Sequence, residues 1–240
     1  MKNRQQNFER ERPPGYRQAL YVNAKDKKLG IILNLIAVAV LVAVMFGAVS
    51  LLRLGGRLTL SAFGLTLPTL LIAYFAFFAM CFGYIVLHEL VHGFAYKVMT
   101  GEKLTYGISW SCAFCGVPSI YTYRRTAVIS VVAPLALFTL LLVPTLVLLY
   151  FVSPLYYLLV AFVFGLHLGG CSGDILVLCL LAGKFRGQRV LMKDTGPEQF
   201  FYVPAEETDT EETDTEAVSA EESTAEATPA DETSTEETEA

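Results

Sequence analysis

Four long apolar stretches, separated by polar segments, organise this chain. The first runs from about Gly30 to Leu52, and the second starts near Leu67 and stays apolar to about Val98. The third covers about Ala127 to Val152 and the fourth about Leu155 to Ala182. A helix crosses a bilayer in about 20 residues at a rise of 1.5 Å each, so each stretch is predicted to be a transmembrane helix. The second is longer than one crossing requires, and its end is expected to project beyond the hydrocarbon. Only Ser153 and Pro154 divide the last two stretches, which predicts a tight antiparallel pair. The expected fold is an all-α membrane protein of four transmembrane helices, with a short cytoplasmic β-hairpin-like loop and a disordered acidic tail.

Charge sets the orientation. The N-terminal segment holds eight Lys and Arg residues, and the loop after the first stretch holds two, Arg53 and Arg57. Four follow the second stretch (Lys97, Lys103, Arg124 and Arg125), none lies between the third and fourth, and four follow the fourth. Basic residues concentrate on the cytoplasmic side of membrane proteins, so both termini of a multi-pass protein are expected there. The divisions expected are a basic N-terminal segment over 1–29, a membrane domain over 30–183, a cytoplasmic segment over 184–204 and a tail over 205–240.

Composition sharpens this picture in two places. Hydrophobic residues make up 54% of the chain, above the 45–50% or so of soluble domains. The net charge of −5 divides into two opposed parts: residues 205–240 contain 15 of the 23 acidic residues and no base, and 1–204 carry 18 basic against 8 acidic residues. A tail of Glu, Asp, Thr, Ser and Ala buries too little apolar area to offset its ordering entropy. Five cysteines, three of them in apolar runs, do not form a disulfide framework. The polar first 29 residues and the length of the first apolar run argue against a cleavable signal peptide. The partners expected are the lipid bilayer and a membrane protein or peptide substrate, with no nucleic acid; the oligomeric state is not legible.

The second stretch carries chemistry. His88 and His92 are four residues apart, about one helical turn, so both imidazoles project from one face and can share a cation. Glu89 follows the first histidine, in the pattern His-Glu-x-x-His. In that pattern two histidines hold Zn2+ and the glutamate is the general base toward a zinc-activated water. Three ionisable residues within five positions of an apolar helix are costly in lipid and normally face a cavity or a partner. The bland alternative is a packed polar patch in which the three bond to one another.

A catalytic zinc takes three protein ligands. The fourth stretch offers His167 and Asp174, seven residues apart, about 10 Å along a helix and on nearly the same face. From Pro68 to His88 is 20 residues, and from Pro154 to Asp174 is also 20. Both stretches run in the same direction, so Asp174 is expected level with His88 and is the assigned third ligand. His167 is expected about 10 Å shallower, orienting the site or touching substrate, and it is the alternative third ligand if the helix kinks at Gly169, Gly170 or Gly173. The glycines around Asp174 are expected to let the fourth helix approach the second closely.

Residues 103–125 alternate and are rich in aromatic and β-branched side chains, which predicts two short strands around Cys112 to Pro118. Such a hairpin beside the zinc offers an edge to an extended peptide. Cys112 and Cys115 form one C-x-x-C pair. It is half of a structural zinc site with no second half, so a plain structural pair is expected.

With HELVHG at 88–93, the hairpin-like segment, Pro134-Leu135, SGD at 172–174 and Lys193-Asp194-Thr195, the chain over about 25–203 resembles a bacterial family of membrane proteins described as zincin peptidases. More distantly it resembles the site-2 protease type, which carries HExxH on one transmembrane helix and an aspartate ligand on a later one. The resemblance implies a membrane-embedded zinc metallopeptidase with His88, His92 and Asp174 as metal ligands and Glu89 as base. The chain departs from that type in lacking an Asn-Pro-Asp-Gly or Leu-Asp-Gly motif at the aspartate. A catalytically inactive scaffold, or a metal-binding or transport protein using the same polar site, is the alternative reading.

Overall fold

The computed structural model describes residues 7–109 and 112–205. Met1–Val203 form one compact unit and Pro204–Ala240 a second, of which only Pro204 and Ala205 are described. The expected disorder of the acidic tail therefore falls outside the described residues, save Ala205.

Among the described residues, four helical spans are long and apolar enough to cross a membrane: Lys27–Leu54, Leu67–Thr100, Arg124–Val152 and Pro154–Lys184. The first three are the helices α1, α2 and α3. The fourth is segmented into α4 (Pro154–Gly170), α5 (Ser172–Cys179) and a closing π-turn (Leu180–Lys184). Large apolar side chains such as Phe46, Phe75, Phe82, Leu140 and Phe151 are exposed along these helices. An apolar exterior of this extent suits lipid as the surrounding solvent.

Local chemistry fixes the helix ends. Asp26 caps α1 by accepting from the Leu29 N–H at 2.9 Å. Thr66 and Thr69 cap α2 reciprocally, side chain to backbone in both directions, with Pro68 in the first turn. This satisfies N–H groups that a helix start otherwise leaves open. Helix α2 stops at Gly101, whose φ of 72° is a left-handed conformation open to glycine at little cost.

The expectation of an all-α protein is corrected by a five-stranded sheet. Its strands are β1 (Phe8–Glu9), β2 (Tyr16–Asn23), β5 (Tyr121–Tyr123), β6 (Leu191–Asp194) and β7 (Glu198–Pro204), in the order β1-β5-β6-β7-β2. The pairs β1/β5, β5/β6 and β6/β7 are antiparallel. The strands come from before α1, from between α2 and α3, and from after the fourth span. These are three of the segments richest in Lys and Arg, and one sheet joins them. Sheet residues Met192, Phe201 and Val203 pack on Ala127 and Val131 of α3 and on Val177 and Leu181 of the fourth span. A hairpin forms in the expected segment but begins earlier than the Cys112 to Pro118 stretch, as β3 (Thr105–Ile108) and β4 (Ala113–Gly116), with Tyr106 opposite Cys115.

Of the glycines in the fourth span, Gly165 and Gly169 serve α1 and not α2, where the sequence placed the contact, and a Cβ on Gly170 would lie 3.8 Å from Tyr84 Oη of α2. Helix α4 packs most extensively on α1. A Cβ on Gly169 would lie 2.6 Å from the Ala37 carbonyl oxygen and 2.9 Å from its Cα, and one on Gly165 would lie 2.6 Å from Leu41 Cδ1. Small residues four apart let the two backbones meet, and the partner is α1.

Candidate metal centre

Helix α2 presents Tyr84, His88, His92 and Tyr96 at successive intervals of four, and all four are buried. This is one stripe of a 3.6-residue helix turned inward. From the fourth span, Asp174 enters in the first turn of α5, just past the break at Cys171. The structure brings it against the histidine pair. His88 Nε2 lies 3.2 Å from Asp174 Oδ2, His92 Nε2 lies 3.3 Å from Asp174 Oδ1, and the two Nε2 atoms are 3.2 Å apart.

Hydrogen bonds at the far side of each ring decide what these atoms offer. His92 Nδ1 lies 2.8 Å from the backbone oxygen of Ser130. A carbonyl only accepts, so Nδ1 donates and Nε2 carries a lone pair. That carbonyl is open because residue 134, the helical donor four positions on, is proline. His88 Nδ1 is 2.9 Å from Tyr84 Oη, which leaves His88 Nε2 to face Asp174.

The donor set fits zinc. Two imidazole nitrogens and a carboxylate converge on one point, and with a lone pair on each nitrogen this set calls for a cation between them. Tetrahedral coordination at about 2.0–2.1 Å sets neighbouring ligand atoms about 3.3–3.4 Å apart, and the three separations here are 3.2 to 3.3 Å.

Glu89 is half-buried and lines, with His88, His92 and Asp174, a cavity of about 390 Å³. Strand β4, the start of α1 and the turn between β6 and β7 form the other walls, which are largely apolar. His167 is fully buried and is not among the lining residues. Of the two roles expected for it, contact with substrate therefore loses its geometric basis. Its Nδ1 lies 3.1 Å from Tyr84 Oη and its Nε2 3.1 Å from Thr139 Oγ1.

Cys112 and Cys115 both line the cavity. Burial pushes the Cys115 thiol up to about 12, so it is protonated and a weak nucleophile.

Tyr84, the Ser130 carbonyl and Tyr96 escaped sequence reasoning, and Pro134 and Asp194 were singled out there only for the family resemblance, without a role in the site. The four-residue spacing of Tyr84, His88, His92 and Tyr96 was a readable signal. Asp194 lies outside the spans, lines the cavity, and accepts from Tyr96 Oη at 2.7 Å.

Residues 81–188 match the family model described as "Putative zincin peptidase". The match starts within α2, ahead of the His-Glu-x-x-His turn, and ends just past the fourth span. It contains His88, Glu89, His92 and Asp174 but neither α1 nor β6 and β7. It is narrower than the stretch of about 25–203 read from the sequence. No curated protein and no solved structure matches the chain.

Proposed function

We propose that this chain is a membrane-embedded zinc metallopeptidase that hydrolyses peptide bonds at the cytoplasmic end of its helices, in a bacterial plasma membrane with both termini inside. The observation that carries the reading is the convergence of His88 Nε2, His92 Nε2 and Asp174 at 3.2–3.3 Å beside a cavity that Glu89 also lines. The family match and the four apolar spans support it. The cytoplasmic assignment rests on the distribution of Lys and Arg along the sequence.

His88, His92 and Asp174 hold the metal in this reading. Bound there, zinc supplies Lewis acidity, lowering the pKa of a water toward about 7. The remaining chemistry belongs to the chain. The Glu89 carboxylate takes a proton from the attacking water and passes it to the departing amide nitrogen. The Ser130 carbonyl and Tyr84 hydroxyl keep the two imidazoles turned toward Asp174. Among the described strands β4 pairs only with β3; Gly116 at its end is packed against the β6–β7 turn, and in this reading the cavity-lining Ala113–Cys115 stretch offers its edge to an extended substrate backbone. The apolar walls exclude water from the rest of the cavity and favour apolar side chains of the substrate.

Glu89→Gln tests the assignment. The detergent-solubilised variant retains zinc, and chelator-sensitive cleavage of a pool of apolar peptides, read by mass spectrometry, drops at least 100-fold. Equal cleavage by the variant, or a zinc-loaded wild type that cleaves nothing in the pool or in co-purified membrane proteins, counts against a peptidase.

A further inference from the structure

The structure holds a second polar cluster, one turn of α2 away from the metal ligands. His88, His167 and Cys171 bring ligand atoms within 4.8 Å of one another. Tyr84 Oη already stands at hydrogen-bond distance from both imidazoles, 2.9 Å from His88 Nδ1 and 3.1 Å from His167 Nδ1. The Cys171 sulfur is 3.7 Å from His167 Nδ1. A hydroxyl in that position makes the cluster a hydrogen-bond relay and not a second metal site.

We propose that His167 is a positioning residue that acts through Tyr84 to fix His88 with a lone pair on Nε2. The inference rests on His88 being a zinc ligand. The hydrogens then follow one after another. A metal-facing Nε2 requires the hydrogen of His88 on Nδ1, and its partner there is Tyr84 Oη, which must accept. The Tyr84 hydrogen therefore points elsewhere, and His167 Nδ1 accepts it. His167 accordingly carries its own hydrogen on Nε2, donated to Thr139 Oγ1 at 3.1 Å. Without an acceptor at His167, the Cys171 sulfur beside Tyr84 Oη is the other competitor on this side, and as a weak acceptor it loses the Tyr84 hydrogen to His88 Nδ1. That moves the His88 hydrogen to Nε2, where it blocks coordination. Burial makes this ordering strict, because His167 is fully enclosed and Tyr84 is buried between Phe138 and the histidines. Tyr84 and His88 also line the cavity, but His167 lies outside its lining and is fully enclosed, so water does not replace its ring nitrogen as the partner of Tyr84 from that side.

The test is zinc affinity of the full chain in detergent, measured by chelator competition, for wild type, His88→Ala, Tyr84→Phe, His167→Phe, His167→Asn and the double variant Tyr84→Phe/His167→Phe. The relay predicts zinc binding by wild type and its loss in His88→Ala. It predicts affinities about 10–100-fold weaker for Tyr84→Phe and His167→Phe, the range typical of lost outer hydrogen bonds to metal ligands. His167→Asn keeps an acceptor oxygen and recovers most of the loss. The double variant is no weaker than the weaker single variant, because both act on one hydrogen bond. Wild-type affinity in both Tyr84→Phe and His167→Phe, or losses that add in the double variant, overturns the relay and leaves the metal centre standing. If Tyr84→Phe does not fold, the contrast between His167→Phe and His167→Asn decides alone, and equal affinities overturn the proposal. A wild type that takes up no zinc overturns the metal centre and the relay with it.

Discussion

Tyr96 Oη donates a 2.7 Å hydrogen bond to Asp194 Oδ2, tying the helix that carries both histidines to strand β6 of the sheet. Asp194 Oδ1 accepts from the Gly196 N–H at 2.9 Å, and its backbone oxygen accepts from the Val117 N–H just after β4 at 2.8 Å. One residue thus joins the metal helix, the hairpin and the β6–β7 turn, three walls of the same cavity. The turn itself depends on close approach: a Cβ on Gly116 would lie 2.8 Å from Gly196 Cα.

Burial raises the Asp194 carboxyl from its ordinary 3.8 to about 6, against the lowering effect of the Tyr96 and Gly196 hydrogen bonds. His92 from α2 lowers it and Asp174 from α5 raises it. The native state then holds a proton between about pH 4 and 6 that the unfolded chain has released, so stability falls as pH rises through this window. The contribution is complete below pH 4 and gone above pH 6. In zinc-free protein Asp194→Asn is expected to flatten this slope. Tyr96→Phe is expected to move the window upward, because it removes a hydrogen bond to the charged form. Thermal unfolding in detergent across pH 4–8 reads both effects, and identical slopes in wild type and Asp194→Asn would refute the assignment.

Removing the carboxylate at the metal centre separates its role from that of the buried histidine on the same helical span. Asp174→Ala is expected to lose zinc under conditions where the wild type holds about one equivalent. His167→Ala is expected to keep it once zinc is supplied in excess of its weakened affinity. Elemental analysis of the purified proteins distinguishes the two, and the opposite pattern moves the third ligand to His167.

Pro134→Ala is expected to produce effects of opposite sign. Alanine restores an N–H that competes with His92 Nδ1 for the Ser130 carbonyl, so zinc affinity falls by about 10-fold or more. The same change removes a proline from inside α3, where proline costs about 3 kcal/mol relative to alanine, so thermal stability of the zinc-free protein rises. Higher stability with unchanged affinity would mean that the carbonyl serves both donors at once.

Packing of the fourth span on α1 is testable at one position. Gly169→Val drives a side chain into the Ala37 backbone, which cannot swing aside as a flexible side-chain end would. A loss of about 1–3 kcal/mol is expected for overpacking of this kind. Zinc binding is expected to weaken as well, since Asp174 is five residues further on. Gly173→Ala meets open space, with nothing within 4 Å of the added Cβ, and is the control. Thermal unfolding that ranks the two alike would show that α1 yields.

The sequence by itself determined what depends on local periodicity. Runs of 20 or more apolar residues admit only a helix when no water is present to satisfy the backbone. A four-residue spacing turns His88 and His92 to one side, and equal counts from Pro68 and Pro154 set Asp174 level with His88. The tertiary structure decided what depends on pairs distant in the chain. Strands β1 and β5 are two and three residues long, too short to show an alternation, and they exist because partners from other segments complete their hydrogen bonds. The relay from His88 through Tyr84 to His167, the meeting of Gly169 with α1, and the link from Tyr96 to Asp194 are likewise contacts across 83, 132 and 98 positions. No spacing within one helix specifies such contacts, because they arise only when the helices and the sheet pack together.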